Sequence, residues 1–151
     1  ELANRRAAEE FLNQQSAIAS RYGHSFAVIS ADVDDFKSIN DHYGHARGDE
    51  VLAGIARLLN DSVRESDVVS RWGGDEFLIV APDTAAEDAE QLIRRCRKAI
   101  TGCLIAGVNV SLTFGLAQFN PGDSLDDVLA RADVQLYGKK GKEVRSEEWE
   151  C

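Results

Sequence analysis

The sequence has no methionine and no run of about 18 apolar residues of the kind a membrane-spanning helix requires. It also has no signal peptide layout: no charged start followed by an apolar stretch and a small-residue cleavage site. The chain opens on Glu1 rather than Met, which leads us to expect a piece excised from a longer protein. Positive charge is scarce as well, with 17 Lys and Arg against 26 Asp and Glu and a net charge of −9. That balance argues against non-specific nucleic-acid binding, because a phosphate backbone needs a basic face. Cysteine is limited to Cys96, Cys103 and Cys151, an odd set without metal-ligand spacing. Reduced, structural or incidental thiols in a cytoplasmic setting are the expectation. What is present is ordinary for a soluble globular protein: 151 residues, 44% hydrophobic and 28% charged. That is enough chain for a full core, and with no repeat or linker in view we expect a single domain over residues 1–151.

Residues 4–21 carry an imperfect apolar stripe and predict a helix, broken at Tyr22-Gly23. Residues 26–31 form a short apolar run that fits a buried strand ending in Asp32-Val33-Asp34-Asp35, and residues 36–40 suit a short helix start. Residues 49–63 repeat apolar positions at helical spacing. Residues 67–72 and 77–81 are β-rich and flank Gly73-Gly74, a tight-turn signal whose glycines let the backbone take positive φ at both turn positions. Thr84 is placed to cap a helix over 85–101. Residues 108–119 predict a strand, with 103–106 as a hairpin partner through Gly107. Ser124 is placed to cap a last helix from Leu125 to about Tyr137, with a loose tail over 141–151. Alternating helices and strands with a central hairpin imply an α/β protein of the α+β type, with a mostly antiparallel sheet flanked by helices.

Four groups of residues carry chemistry. Asp32, Asp34 and Asp35 leave a buried strand together; they suit either a hard cation or the N-terminus of the following helix. Gly73-Gly74-Asp75-Glu76 joins a flexible turn to two acids. Strand alternation sends Asp75 and Glu76 to opposite faces, so one of them can join Asp32 around a metal; an ordinary hairpin is the competing reading. Arg64-Glu65-Ser66-Asp67 and the basic stretch Arg94, Arg95 and Arg97 fit helix ends and solvated faces, or a guanine-binding site. Lys139, Lys140, Lys142 and Arg145 fit a solvent-facing end or a phosphate clamp.

Together these groups resemble the GGDEF family of diguanylate cyclases, over about Leu2 to Lys140. Arg71-Trp72-Gly73-Gly74-Asp75-Glu76-Phe77 is similar to the family signature without substitution. Leu2 to Arg6, Asp32 to Asp41, Tyr43 to Asp49, Val110 to Gly115 and Arg131 to Lys140 resemble its other motifs in order. The family's Asp-x-Leu-Thr opening is missing, and its closing Gly-Arg-Asn reads Gly141-Lys142-Glu143 here, leaving Lys142 or Arg145 to replace a phosphate-binding Arg.

The resemblance implies a fold like nucleotide cyclases and polymerase palms, and the joining of two GTP into cyclic di-GMP. It implies Mg²⁺ or Mn²⁺ on Asp32, Asp75 and the Val33 carbonyl, with Glu76 helping the metal or taking a proton. Asn40 and Asp49 would bind guanine, and the backbone N–H groups of Asp35, Phe36 and Lys37 the phosphates. The Lys37 and Lys140 side chains would neutralise charge, and Gly73 and Gly74 would give the nucleotide room. It further implies a catalytic homodimer, and product inhibition at Arg64, Asp67 and Arg95. No nucleic-acid partner and no direct membrane insertion are expected.

Overall fold

A computed structural model describes residues 2–150, with side chains through Lys139. The elements in chain order are α1 (Arg5–Tyr22), β1 (Phe26–Val33), α2 (Phe36–Tyr43), α3 (His45–Ser62), β2 (Val68–Arg71), β3 (Glu76–Pro82), α4 (Ala86–Thr101), β4 (Leu112–Phe119) and α5 (Leu125–Glu150). The strands form one sheet in the order β2-β3-β1-β4, and every neighbouring pair is antiparallel.

Strand alternation divides the core into two layers. Ala27, Ile29, Ala31 and Val33 of β1 point to one face, where they meet Ile39 of α2, Val51, Leu52, Ile55 and Leu59 of α3, and Ala89, Ile93, Cys96 and Ile100 of α4. Phe26 and Val28 point to the other, against Leu12 and Ala19 of α1 and Val128 and Ala132 of α5. Phe26 stacks on its cross-strand partner Phe119 with ring centroids 4.6 Å apart. Because β1 is central and buried on both faces, its sequence is a continuous apolar run rather than an alternation.

Helix α1 is set by its ends. The Asn4 side chain accepts from the Ala7 N–H at 2.8 Å, and Gly23 closes the helix at φ 73°. Helix α5 lies hard on β4 at Gly115, where an added Cβ would overlap the backbone carbonyl of Ala132 and stand 2.6 Å from the Leu136 nitrogen.

Five local expectations need correction. Helix α3 begins at His45 rather than Asp49, because its first turn is exposed and carries no apolar stripe; Gly44, at φ 90°, reverses the chain just before it. Strand β4 begins at Leu112 rather than Val108, because Leu112 pairs with Val33, the last residue of β1; the β-rich residues before it instead close a small turn through the Ile105–Val108 bridge. Thr84 does not cap α4. Its hydroxyl donates to the Pro82 carbonyl, and Gln118 Oε1 of β4 accepts the Ala86 N–H at 2.8 Å instead. Helix α5 continues past Tyr137 through a stretch rich in Lys and Glu, both good helix formers. Finally, neither Gly73 nor Gly74 takes positive φ. The connection is longer than a two-residue turn, with the Trp72 and Gly73 N–H groups both donating to the Glu76 carbonyl, so the backbone reversal is spread over more residues.

Candidate active site

The antiparallel register of β1 and β3 places Asp32 directly opposite Glu76. Directly opposed residues share a face, so both carboxylates belong to the face covered by α1 and α5. Asp75 sits just before β3, and its carbonyl accepts the Val33 N–H at 3.1 Å. The strand ends thus gather Asp32, Val33, Asp75 and Glu76. Helix α5 adds Asp133, whose Oδ1 accepts from the Ser30 hydroxyl at 3.2 Å.

The electrostatics follow from this crowding. The Glu76 carboxyl is held above its ordinary range, first by partial burial, then by the charges of Asp133, Asp32 and Asp75, with Arg5 opposing. The Tyr137 hydroxyl on α5 is also raised, first by Glu76, then by burial and the same carboxylates. These groups are oxygen donors, the type that Mg²⁺ and Mn²⁺ prefer. Among the described residues no three His, Cys, Asp or Glu side chains converge into a ready-made metal cage.

The turn beside these acids is open. An added Cβ at Gly74 would meet nothing within 4 Å, and one at Gly73 would touch only Glu76, at 3.4 Å and beyond. Neither glycine has positive φ, and the space beside Gly74 is open. Arg71 holds the turn from below, donating from Nη2 to the Gly74 carbonyl at 2.7 Å and from Nε to the Gly73 carbonyl at 3.4 Å.

A second group lies between α2 and α3. Asn40 lies in the middle of α2, and its amide occupies the place where a side chain at Gly48 would be; the Phe36 ring lies 3.4 Å from the same point. Asp49 follows Gly48 on the exposed side of α3. Phe36 and Lys37 open α2, and Asp35 precedes them in the left-handed region at φ 53°, without a side-chain capping bond. The first N–H groups of such a helix have no partner within it. Asp34 is turned toward β4, where it accepts from the Ser111 hydroxyl at 2.6 Å and the Thr113 hydroxyl at 2.5 Å. The Lys140 side chain, like those of Lys142 and Arg145, lies outside the described residues.

The Arg64 group lies elsewhere, where α3 leads into β2. The Asp67 side chain is fully buried and accepts from the Arg64 N–H at 2.9 Å and from Arg64 Nη2 at 3.0 Å. Arg64 Nη2 also donates to Thr84 Oγ1 at 2.6 Å and to the Pro82 carbonyl at 3.0 Å. The Arg64 guanidinium is held further above its usual range, chiefly by its bond to Asp67. Arg95 donates to the Ser62 carbonyl at 2.6 Å. Arg64 and Arg95 line one cleft of about 150 Å³ with Thr84, Asp88, Gln91 and Leu92. Arg94 and Arg97 do not line this cleft; Arg97 lies over the Phe114 ring.

The family described as diguanylate cyclase, GGDEF domain, matches residues 1–145. The chain belongs to the GGDEF family. This GGDEF domain is 38% identical over 128 residues to the diguanylate cyclase DgcM of Escherichia coli, covering 84% of this chain and 30% of that protein. It is 36% identical over 143 residues to the diguanylate cyclase DgcP of Pseudomonas aeruginosa, covering 92% of this chain and 21% of that protein. The chain therefore spans less than a third of the length of either relative. Among solved structures, the GGDEF domain of DgcB from Caulobacter crescentus, in complex with c-di-GMP, superposes with a TM-score of 0.89 at 29% identity, covering 94% of this chain and 85% of that one.

Several contacts around these groups are not encoded by local spacing in the sequence. Gly48 makes room for Asn40; it lies in the motif-like segment Tyr43 to Asp49, but the contact with Asn40 has no local signal. Asp133 and Ser30 are about a hundred positions apart, and nothing local links them. Arg5 contacts the signature through Trp72, again without a local signal.

Proposed function

We propose that this domain condenses two GTP molecules into cyclic di-GMP and two pyrophosphates, in a dimer of two such domains. The observation that carries this reading is the pairing of Asp32 with Glu76 across β1 and β3, beside a glycine turn whose Gly74 has open space around it among the described residues. In each step the 3′-oxygen of one GTP bonds to the α-phosphorus of the other. The bond from that phosphorus to the β-phosphate bridging oxygen breaks, and pyrophosphate leaves with the electron pair. Each domain supplies one nucleotide, so two domains must face one another to align the reacting atoms.

Asp32, Asp75 and the Val33 carbonyl bind the metal in this reading. Bound there, Mg²⁺ or Mn²⁺ supplies charge neutralisation of the triphosphate and a more acidic hydroxyl. Glu76, opposite Asp32, assists at the metal or accepts the hydroxyl proton. Asn40 and Asp49 hydrogen-bond the guanine edge, with Asp49 accepting from its N–H groups. The backbone N–H groups at the start of α2, from Asp35 to Lys37, hold the terminal phosphates, and Lys37 and Lys140 neutralise them. Arg64, Asp67 and Arg95 form the product-inhibition site; the solved complex of the DgcB GGDEF domain with c-di-GMP supports product binding by this family. The reaction belongs to the cytoplasm, where GTP is available.

The test is a tethered dimer given GTP and Mg²⁺. Cyclic di-GMP and pyrophosphate are expected, with Asp75→Ala inactive but folded. A folded tethered dimer that forms no cyclic di-GMP would overturn the reading.

A further inference from the structure

Trp72 is the residue before the glycine turn. Its N–H donates to the Glu76 carbonyl at 2.8 Å, which ties it to the far side of the turn. Its own carbonyl accepts from Arg5 Nη1 at 3.3 Å, and the Arg5 guanidinium lies 4.2 Å from the centre of its ring. Arg5 thus holds Trp72 by backbone and by ring at once.

Arg5 is itself fixed in place. It is the first residue of α1, behind the Asn4 cap, and Glu9 accepts from its Nε at 3.1 Å. Just upstream, the Ala3 N–H donates to the Val69 carbonyl at 3.2 Å, and Ala3 bridges Ser70 in parallel. The chain entering α1 is therefore pinned to edge strand β2 and to the end of that strand's turn within three residues. Arg6, its neighbour, pairs with Glu10 at 3.8 Å, and its side chain is 89% exposed.

We propose that Arg5 is a positioning residue for the signature turn: it clamps Trp72 so that the path by which the chain enters α1 sets how Gly73 and Gly74 meet the nucleotide. The inference rests on the reading of that turn as nucleotide-facing. A segment preceding Ala3 can then act on the site through Ala3, Arg5 and Trp72.

The test uses the full chain with Trp149→Phe, which leaves Trp72 as the single tryptophan of the two in the sequence. Arg5→Ala is compared with Arg5→Lys and with the control Arg6→Ala. Acrylamide quenching of Trp72 emission should rise in Arg5→Ala and not in Arg6→Ala. The KM for GTP in a tethered dimer should rise about two- to five-fold, the size of one partly exposed cation–π contact. Arg5→Lys, which keeps the charge over the ring, should recover part of both changes.

Unchanged quenching in Arg5→Ala overturns the clamp. Increased quenching with an unchanged KM overturns the positioning role, as does an equal KM rise in Arg6→Ala. Quenching needs no turnover, so it decides the clamp even where the unsubstituted chain makes no cyclic di-GMP. That second result would count against the cyclase reading instead. Should Arg5→Ala not fold, Arg5→Gln removes the cation while keeping a donor for the Trp72 carbonyl, and the same readings apply.

Discussion

Glu76 carries a charge that the fold works against. Partial burial and the carboxylates of Asp133, Asp32 and Asp75 raise its folded pKa above the unfolded value. Above the folded pKa the ionised side chain therefore costs stability; below the unfolded pKa it is neutral in both states and costs nothing. Glu76→Gln should thus raise the melting temperature of the metal-free protein at neutral pH. The gain should fade as pH falls through the folded pKa, while turnover is lost. Thermal melts across that acid range check the sign; a lower melting temperature at neutral pH would contradict it. The cysteines give a second residue-scale outcome. Burial pushes the Cys96 thiol up to about 11, whereas Cys103 is exposed. With Cys151→Ser, a thiol reagent at mildly alkaline pH should label one cysteine quickly and the second only on unfolding.

Two glycines set how elements meet, with opposite consequences when replaced. At Gly48 the obstacle to a side chain is the amide end of Asn40, which can move. Gly48→Ala should leave the melting temperature nearly unchanged but raise the KM for GTP, because it displaces Asn40 from its proposed place at the guanine edge. At Gly115 the obstacle is the backbone of α5 at Ala132 and Leu136. Gly115→Ala should destabilise by about 1–3 kcal/mol or more, since helix and strand must part. Urea unfolding and steady-state kinetics on both variants separate the effects; a stable Gly115→Ala protein would show that α5 sits less tightly than its contacts indicate.

At the scale of the whole molecule, the proposed reaction and its inhibition lie in separate places. The site gathers at the strand ends and the glycine turn, while the Arg64 cleft opens beyond the other end of β3, near Pro82 and Thr84. In the proposed reaction each domain supplies one nucleotide, so the rate of untethered protein should rise faster than linearly with its concentration. Arg64→Ala should raise the cyclic di-GMP concentration needed for inhibition. It should also cost about 1–3 kcal/mol, because the buried Asp67 carboxylate loses its side-chain partner. Arg95 holds only a backbone carbonyl by the bond seen here, so Arg95→Ala should weaken inhibition with less loss of stability. Inhibition curves and melts on both variants test this; unchanged curves would remove the site.

Much of this protein was legible in its residues taken in order. The apolar run of β1, the periodic helices, the Asn4-to-Gly23 span of α1 and the signature from Arg71 to Phe77 are local patterns, and local patterns report periodicity and turn chemistry directly. The limits of elements were less legible. An exposed first turn such as that of α3 carries no apolar stripe, and β-rich residues before Leu112 become strand only where a neighbour offers hydrogen bonds. The sequence by itself determined which residues are acids, glycines and cations, and roughly which elements carry them. Tertiary structure decided that Glu76 is the acid facing Asp32, that Gly48 clears space for Asn40, that Gln118 caps α4, and that Arg5 grips Trp72. Each of those is a meeting of residues far apart along the chain, set by strand register and helix packing, which no local spacing encodes.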